Sequence, residues 1–259
     1  MQPTNKIDNT KIPSPIWKEI FARIWAFYAM ILFIATLVIA IWFYIPCFML
    51  EEPAKARWHR LVSRGWMWIY LHLIGCPIRI RGKENFVAHT NYIVVCNHNS
   101  LMDVPVSTPF MPRANKTIAK KSFTKIPIFG WIYSFGSVLV DRKSDASRRK
   151  SYEEMKRMLA LGLDMLIYPE GTRNRTNNPL KSFYDGAFRL AVDTKKPILP
   201  VILFHTKKVL PAHKFFYLFP HTLDMHFLPA VSSTDISADD LKEKLFRLMW
   251  DHYAQYEHQ

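Results

Sequence analysis

Residues 94–105 read VVCNHNSLMDVP, and this stretch decides the fold. An apolar run stops at Asn97, and His98, Asn99, Ser100 and Asp103 crowd the turn that follows. On a regular helix, two residues five apart lie roughly 140° apart around the axis. His98 and Asp103 therefore meet only if the chain bends between them. The pattern predicts a buried strand broken by Asn97, a bent connection, and a helix with Asp103 as its cap and Pro105 in its first turn. Such strand-to-helix connections are where open α/β sheets bind ligands.

The same residues suggest a chemistry. An aspartate bonded to one imidazole nitrogen fixes the tautomer, leaves the other nitrogen free as a base, and stabilises the imidazolium that forms. Ser100 is better suited to bracing the turn, and Cys96 to burial, so no protein nucleophile stands beside His98. The expected reaction is direct: His98 deprotonates a substrate hydroxyl, which attacks an activated acyl group. On this stretch alone, a structural histidine held by an aspartate is an equally open reading.

A second constellation repeats the architecture. Residues 166–179 read LIYPEGTRNRTNNP, an apolar run that ends in a Pro-Glu-Gly turn. Gly171 permits close backbone approach. Thr172 and Arg173 offer a hydroxyl and a forked guanidinium, which are groups that hold a phosphate.

Further out, strands are expected at 78–82, 91–96, 116–120, 137–141, 164–168, 198–204 and 224–229. Helices are expected at 145–161, 182–195 and 237–256, the last capped by Ser237 with Asp240 three residues on. This alternation predicts an α/β fold with a mixed, largely parallel sheet flanked by helices. The basic cluster at 141–150, DRKSDASRRK, reads as a solvated loop and helix start, or else as a phosphate or lipid contact.

The N-terminal part has a different character. The 27 residues from Ile24 to Leu50 carry no charge, more than the ~20 needed to cross a hydrocarbon core. Trp25, Trp42, Phe43 and Tyr44 lie toward its ends, as interfacial aromatics do. Pro46 should end the helix. Residues 54–75 then form a second helix, basic at its start and apolar at its end, suited to the head-group region. Residues 1–75 are thus expected to be an N-terminal membrane-associated two-helix motif and 76–259 a catalytic domain. Positive charge flanks both ends, so a full span and a re-entrant hairpin both fit.

Composition narrows the function. Lys and Arg outnumber Asp and Glu by 35 to 21 in 259 residues, a net charge of +14. That balance favours anionic lipid or an acidic carrier protein, and no recognisable nucleic-acid module accompanies it. Three cysteines without a Cys-x-x-Cys make neither a disulfide framework nor a zinc site, so no metal is expected and the compartment reads as reducing.

Four blocks in order resemble the glycerolipid acyltransferase family, specifically lysophosphatidate acyltransferases of the bacterial PlsC type. NHNSLMD, 97–103, resembles the family's His-x4-Asp block. IAKKSFTKIPIFGWIYSFGSVLVDR, 118–142, resembles the second, with its Ala-Lys run, Ile-Pro-x-Phe-Gly and Asp-Arg. YPEGTR, 168–173, resembles the third and KKPILPVIL, 195–203, the fourth. The resemblance implies transfer of a fatty acyl chain from acyl-carrier protein or coenzyme A to the sn-2 hydroxyl of lysophosphatidate, giving phosphatidic acid. It implies no cofactor beyond the acyl thioester co-substrate. It further implies His98 as base with Asp103 as partner, Glu170 and Arg173 positioning the acceptor with Arg173 on its phosphate, and Lys120 assisting. It also implies association with a phospholipid membrane, the inner (cytoplasmic) membrane, with the catalytic domain facing the cytoplasm.

Two departures bear on the acceptor. Ser122 stands where the family often has Glu. Phe183-Tyr184-Asp185-Gly186 replaces Phe-Lys-x-Gly, losing a cation and adding an acid. A lysolipid with an amino-acid or other head group is the corresponding alternative. A non-enzymatic lipid-binding tether and a hydrolase using Ser100 are the other two readings.

Overall fold

The computed structural model describes residues 15–257, Ala88 and Arg142 excepted. Arg142, of the expected basic cluster and the Asp-Arg pair, lies outside the described residues.

Seven strands form one sheet: β1 Ile78–Arg81, β2 Ile93–Cys96, β3 Asn115–Lys120, β4 Ser137–Val140, β5 Asp164–Ile167, β6 Ile198–Phe204 and β7 Leu223–Phe227. Every one falls on an expected stretch. The order is β1-β7-β6-β2-β5-β3-β4. Strands β6, β2, β5, β3 and β4 run parallel. The last two, β7 and β1, are parallel to each other and antiparallel to β6. The sheet is therefore mixed and largely parallel.

The central strands β2, β5 and β6 are buried at every position. This is why they read as continuous apolar runs rather than alternating ones. Val94, Cys96, Leu166, Leu199 and Val201 face one core, and Ile93, Val95, Met165, Ile167 and Ile202 face the other. Helices α1 Ile16–Tyr44, α2 Ala54–Leu73, α3 Asp103–Phe110 and α4 Phe129–Phe135 cover the first face. Helices α5 Asp145–Ala160, α6 Gly186–Thr194 and α8 Ala238–Glu257 cover the second. The short α7, Thr206–Val209, follows β6. The result is three layers around two cores.

The N-terminal pair forms an antiparallel hairpin that shares the first core. Ala22, Ala26, Ala29 and Ala40 of α1 are buried, with Phe33 and Thr36 on the same stripe. Phe33 packs on Trp66 and Tyr70 of α2, and Trp66 Nε1 donates to Thr36 Oγ1 at 2.9 Å. Small residues at helical spacing bring the two backbones close, as in membrane helix pairs. The large apolar side chains of α1, among them Ile24, Phe27, Ile31, Ile34 and Trp42, are exposed instead. Pro46 lies in a 3-10 turn, Ile45–Phe48, that ends α1 as expected. A buried ion pair, Lys116 with Glu52, ties the hairpin to the start of β3.

Two expectations are corrected. Asp103 is the first residue of α3, and Met102 holds the cap position. The Asp103 carboxylate bonds backward to residues 98–100 and makes no forward cap bond; Pro105 has no N–H to offer. The helix expected over 182–195 begins only at Gly186. Residues 182–185 are held out of it because the Tyr184 N–H donates to the Pro169 carbonyl at 2.9 Å.

Candidate active site

The carboxyl ends of β2, β5 and β3, three adjacent parallel strands, carry the residues singled out from the sequence. At the end of β2, the Asn97 side chain acts as a surrogate peptide. Its Nδ2 donates to the Leu203 carbonyl at 3.0 Å and its Oδ1 accepts the Leu203 N–H at 2.8 Å. This clamps β2 to β6 at the point where the chain must turn.

His98 follows, held at four points. Its Nδ1 bonds Asp103 Oδ2 at 2.8 Å. Its backbone N–H donates to Glu170 Oε1 at 2.8 Å, and its carbonyl accepts the Asn174 N–H at 2.6 Å. Its ring stacks on Tyr168, with centroids 4.5 Å apart and planes at 30°. Asp103 Oδ2 also accepts the N–H groups of Asn99 at 2.6 Å and Ser100 at 2.7 Å. An ionised Asp103 is an acceptor only, so the hydrogen sits on Nδ1 and the Nε2 lone pair stays free. His98 is 18% exposed while Asp103 is fully buried, so the free nitrogen is the reachable one.

Ser100 is committed elsewhere. Its Oγ donates to the Leu210 carbonyl at 2.7 Å and accepts the Met102 N–H at 3.1 Å. That is the bracing role, and it leaves the hydroxyl unavailable as a nucleophile for a hydrolase. Cys96 is buried, and burial pushes its thiol well up, away from the reactive thiolate.

At the end of β5, Gly171 takes φ +68°, a left-handed conformation natural to glycine. Thr172 N–H donates back to the Glu170 carbonyl at 2.7 Å across this tight turn. The turn points Glu170 inward: Oε1 accepts from His98, Oε2 accepts the Lys181 N–H at 3.1 Å, and the residue is fully buried. Burial raises its pKa to about 7, the two backbone donors opposing. Glu170 thus braces two loops against each other rather than facing an acceptor.

Thr172 is exposed and accepts from Lys181 Nζ at 2.9 Å. Arg173 is half-buried and makes no hydrogen bond or ion pair among the described residues. It sits one residue from the Asn174–His98 bond, so its backbone is fixed beside the dyad. Lys120, the last residue of β3, is exposed and likewise unpaired among the described residues. After it, residues 121–125 turn back onto α4, where a side chain at Gly130 would strike the Thr124 carbonyl.

The acid that departs from the family pattern faces away from this site. Asp185 pairs with Lys242 of α8 at 2.6 Å and Arg189 at 3.5 Å. Lys181 stands on Thr172 and supplies a cation to the same loop. Lys181, Tyr168 and Asn174 contact the candidate site residues, Asn97 clamps the strand that leads into His98, and none of the four carries a role from the sequence alone. Asn174 organises its own loop, accepting from the Thr176 N–H at 2.9 Å and donating to the Asn178 carbonyl at 2.9 Å.

A family model described as Acyltransferase matches residues 77–204. The match marks an acyltransferase domain over those residues, just under half of the chain. The 1-acyl-sn-glycerol-3-phosphate acyltransferase of Cocos nucifera is 34% identical over 145 residues, 55% of this chain and 45% of that protein. The enzyme of the same name from Saccharomyces cerevisiae is 26% identical over 77% of this chain and 65% of its own length. The chain thus spans about half to two thirds of the length of these relatives. Among solved structures, the 1-acyl-sn-glycerophosphate (LPA) acyltransferase PlsC from Thermotoga maritima superposes with a TM-score of 0.77. That match covers 94% of this chain and 98% of the other chain at 20% identity, and establishes the shared fold.

Proposed function

We propose that this chain transfers a fatty acyl group from a thioester, on acyl-carrier protein or coenzyme A, to the sn-2 hydroxyl of lysophosphatidate. The observation that carries the reading is the Nε2 of His98 at the same carboxyl end of the sheet as the cations Arg173 and Lys120, all three without a partner among the described residues. His98 Nε2 takes the proton of the acceptor hydroxyl as its oxygen bonds the thioester carbonyl carbon. The imidazolium, steadied by Asp103, returns that proton to the departing thiol sulfur as the carbon–sulfur bond breaks. Asp103, Tyr168, Glu170 and Asn174 orient the base. Arg173, Lys120 and the Lys181–Thr172 pair hold the acceptor phosphate, and Gly171, at φ +68°, allows the tight turn that presents them. The thioester supplies the activation, so this chain contributes base, orientation and charge, and no cofactor is required.

The membrane placement is part of the proposal. Residues 16–48 are long and apolar enough to cross a bilayer, and α1 alone, with 29 residues, is about 43 Å long. Yet both ends of α1 touch the catalytic half. Near the start of α1, Arg23 donates to the Phe215 carbonyl at 3.3 Å and the Leu218 N–H to the Ala22 carbonyl at 3.1 Å. Just past its end, Phe48 packs on Trp131 and Phe135. A helix pinned to one body at both ends supports a hairpin lying in one leaflet over a span. The reduced cysteines and the soluble donor favour the cytoplasmic side.

The test is to incubate the purified full chain with labelled acyl-carrier protein and acyl-coenzyme A and a panel of lysolipids, identifying products by mass spectrometry. Phosphatidic acid from lysophosphatidate is the expected product. Turnover only with a lysolipid lacking a phosphomonoester, or release of free fatty acid alone, overturns the reading.

A further inference from the structure

A hydrogen bond to Asp103 fixes the edge of the His98 ring at one point and leaves its plane to be set by something else. The described contacts supply one candidate. Tyr168 lies flat against the imidazole at 4.5 Å, and its hydroxyl is bonded to Ser107 Oγ at 2.7 Å. Ser107 is fully buried and sits four residues after Asp103 on α3. Residues four apart on a helix share a face. One face of α3 therefore grips the base twice, through Asp103 on the ring edge and through Ser107 and Tyr168 on the ring plane.

We propose that Tyr168, locked by Ser107, is a positioning residue that sets the plane of the His98 base and steadies the imidazolium formed during acyl transfer. The inference rests on the reading of His98 as the base. The phenol presents its ring face to His98 and its hydroxyl to Ser107, so it neither gives nor takes the transferred proton. An aromatic face favours a cation held over it, and the imidazole is cationic only after it has taken the acceptor proton. The contact thus strengthens along the reaction. Burial keeps the Tyr168 phenol well above its ordinary pKa, so the ring stays neutral and the Ser107 bond intact. No other element supplies a ring against His98 among the described residues.

The test uses the full chain in detergent micelles with five variants, His98→Ala, Tyr168→Phe, Tyr168→Leu, Ser107→Ala and the double variant Ser107→Ala/Tyr168→Phe. Tyr168→Leu is expected to lower kcat about 10- to 100-fold, the scale of a slightly misdirected catalytic group, with the KM for lysophosphatidate within twofold. The acid limb of its kcat/KM pH profile should move about half a unit lower as the imidazolium loses its partner. Tyr168→Phe keeps the stack and should recover most of the rate, leaving a loss of about threefold. Ser107→Ala should match it, and the double variant Ser107→Ala/Tyr168→Phe should be no worse than either, because both remove one bond. Wild-type kcat and pH profile in Tyr168→Leu overturn the proposal. If that variant does not fold, additive losses in the Ser107→Ala/Tyr168→Phe cycle, or none, overturn it. Retained activity in His98→Ala instead refutes the base assignment and the proposed function with it.

Discussion

Glu170→Gln separates a brace from a substrate contact. Both Glu170 oxygens accept backbone N–H groups, from His98 at 2.8 Å and Lys181 at 3.1 Å, with the residue fully buried. Glutamine offers one oxygen and one NH₂, so one of those donors meets another donor. A buried donor without its acceptor costs about 1–3 kcal/mol. Opposed to this is the charge itself. Burial raises the Glu170 pKa from 4.5 to about 7. A raised folded-state value means stability that is full below the unfolded value and lost as pH climbs through the folded one. Each unit corresponds to about 1.4 kcal/mol, so the wild type should lose on the order of 3 kcal/mol from this group between acid and alkaline pH. Glutamine has no such slope. Glu170→Gln should therefore be less stable than wild type near pH 5 and lose that deficit by about pH 8.5. Denaturation in detergent micelles at both pH values measures this. In the acyl-transfer assay kcat should fall about 10- to 100-fold as the His98 backbone loosens, with the acceptor KM nearly constant. A rise in acceptor KM at unchanged kcat would return Glu170 to direct acceptor contact. Parallel stability–pH curves for the two proteins would refute the buried titration.

Asp103→Asn keeps the shape but presents an amide to Nδ1 and favours the wrong tautomer; kcat should drop about 10³- to 10⁴-fold with KM little changed in steady-state kinetics. Arg173→Ala should raise the KM for lysophosphatidate about 10- to 100-fold, the worth of a charge-assisted hydrogen bond. The same variant should treat an uncharged monoacylglycerol as wild type does, and equal affinity for lysophosphatidate would move the phosphate site elsewhere. Lys116→Met strands Glu52 in the interface between hairpin and sheet, where the pair is 5% and 12% exposed. It should cost about 3–5 kcal/mol in denaturation, and adding Glu52→Gln should recover part of the loss.

The strands were legible because β2, β5 and β6 are buried on both faces, and continuous runs such as 198–204 have no other simple reading. The His98–Asp103 meeting was legible because the spacing forbids a straight helix. What escaped depends on contacts across strands. Nothing local says that Tyr168 lies on His98, since that follows from the pairing of Val95 with Ile167 in adjacent strands. The resemblance implies that Glu170 positions the acceptor; its burial follows from two N–H donors on other loops, which its own turn does not reveal. Asp103 was misplaced as a cap because sequence shows that a carboxylate starts the helix, not which way it points. Asp185 reads as an acid beside the acceptor loop until Lys242, 57 residues on, is seen to hold it.

The connection between β6 and β7 joins the apolar hairpin to the catalytic turn. Its Leu210 carbonyl accepts Ser100 Oγ, and Ser100 N–H in turn binds the same Asp103 oxygen that holds His98. A few residues on, Phe215 and Leu218 bond the first turns of α1, and Lys214 pairs with Glu19 there. The β6–β7 connection therefore links the helix that exposes Ile20, Ile24 and Phe27 to the turn in which Asp103 holds His98. Those side chains are unfavourable in water by the ordinary scale for apolar surface and favourable in lipid. In the proposed leaflet placement their burial would fix α1, and α1 bonds the loop on which Ser100 rests. With the lipid acceptor proposed above, the contact that would seat the protein on its substrate's surface also supports the turn that holds His98.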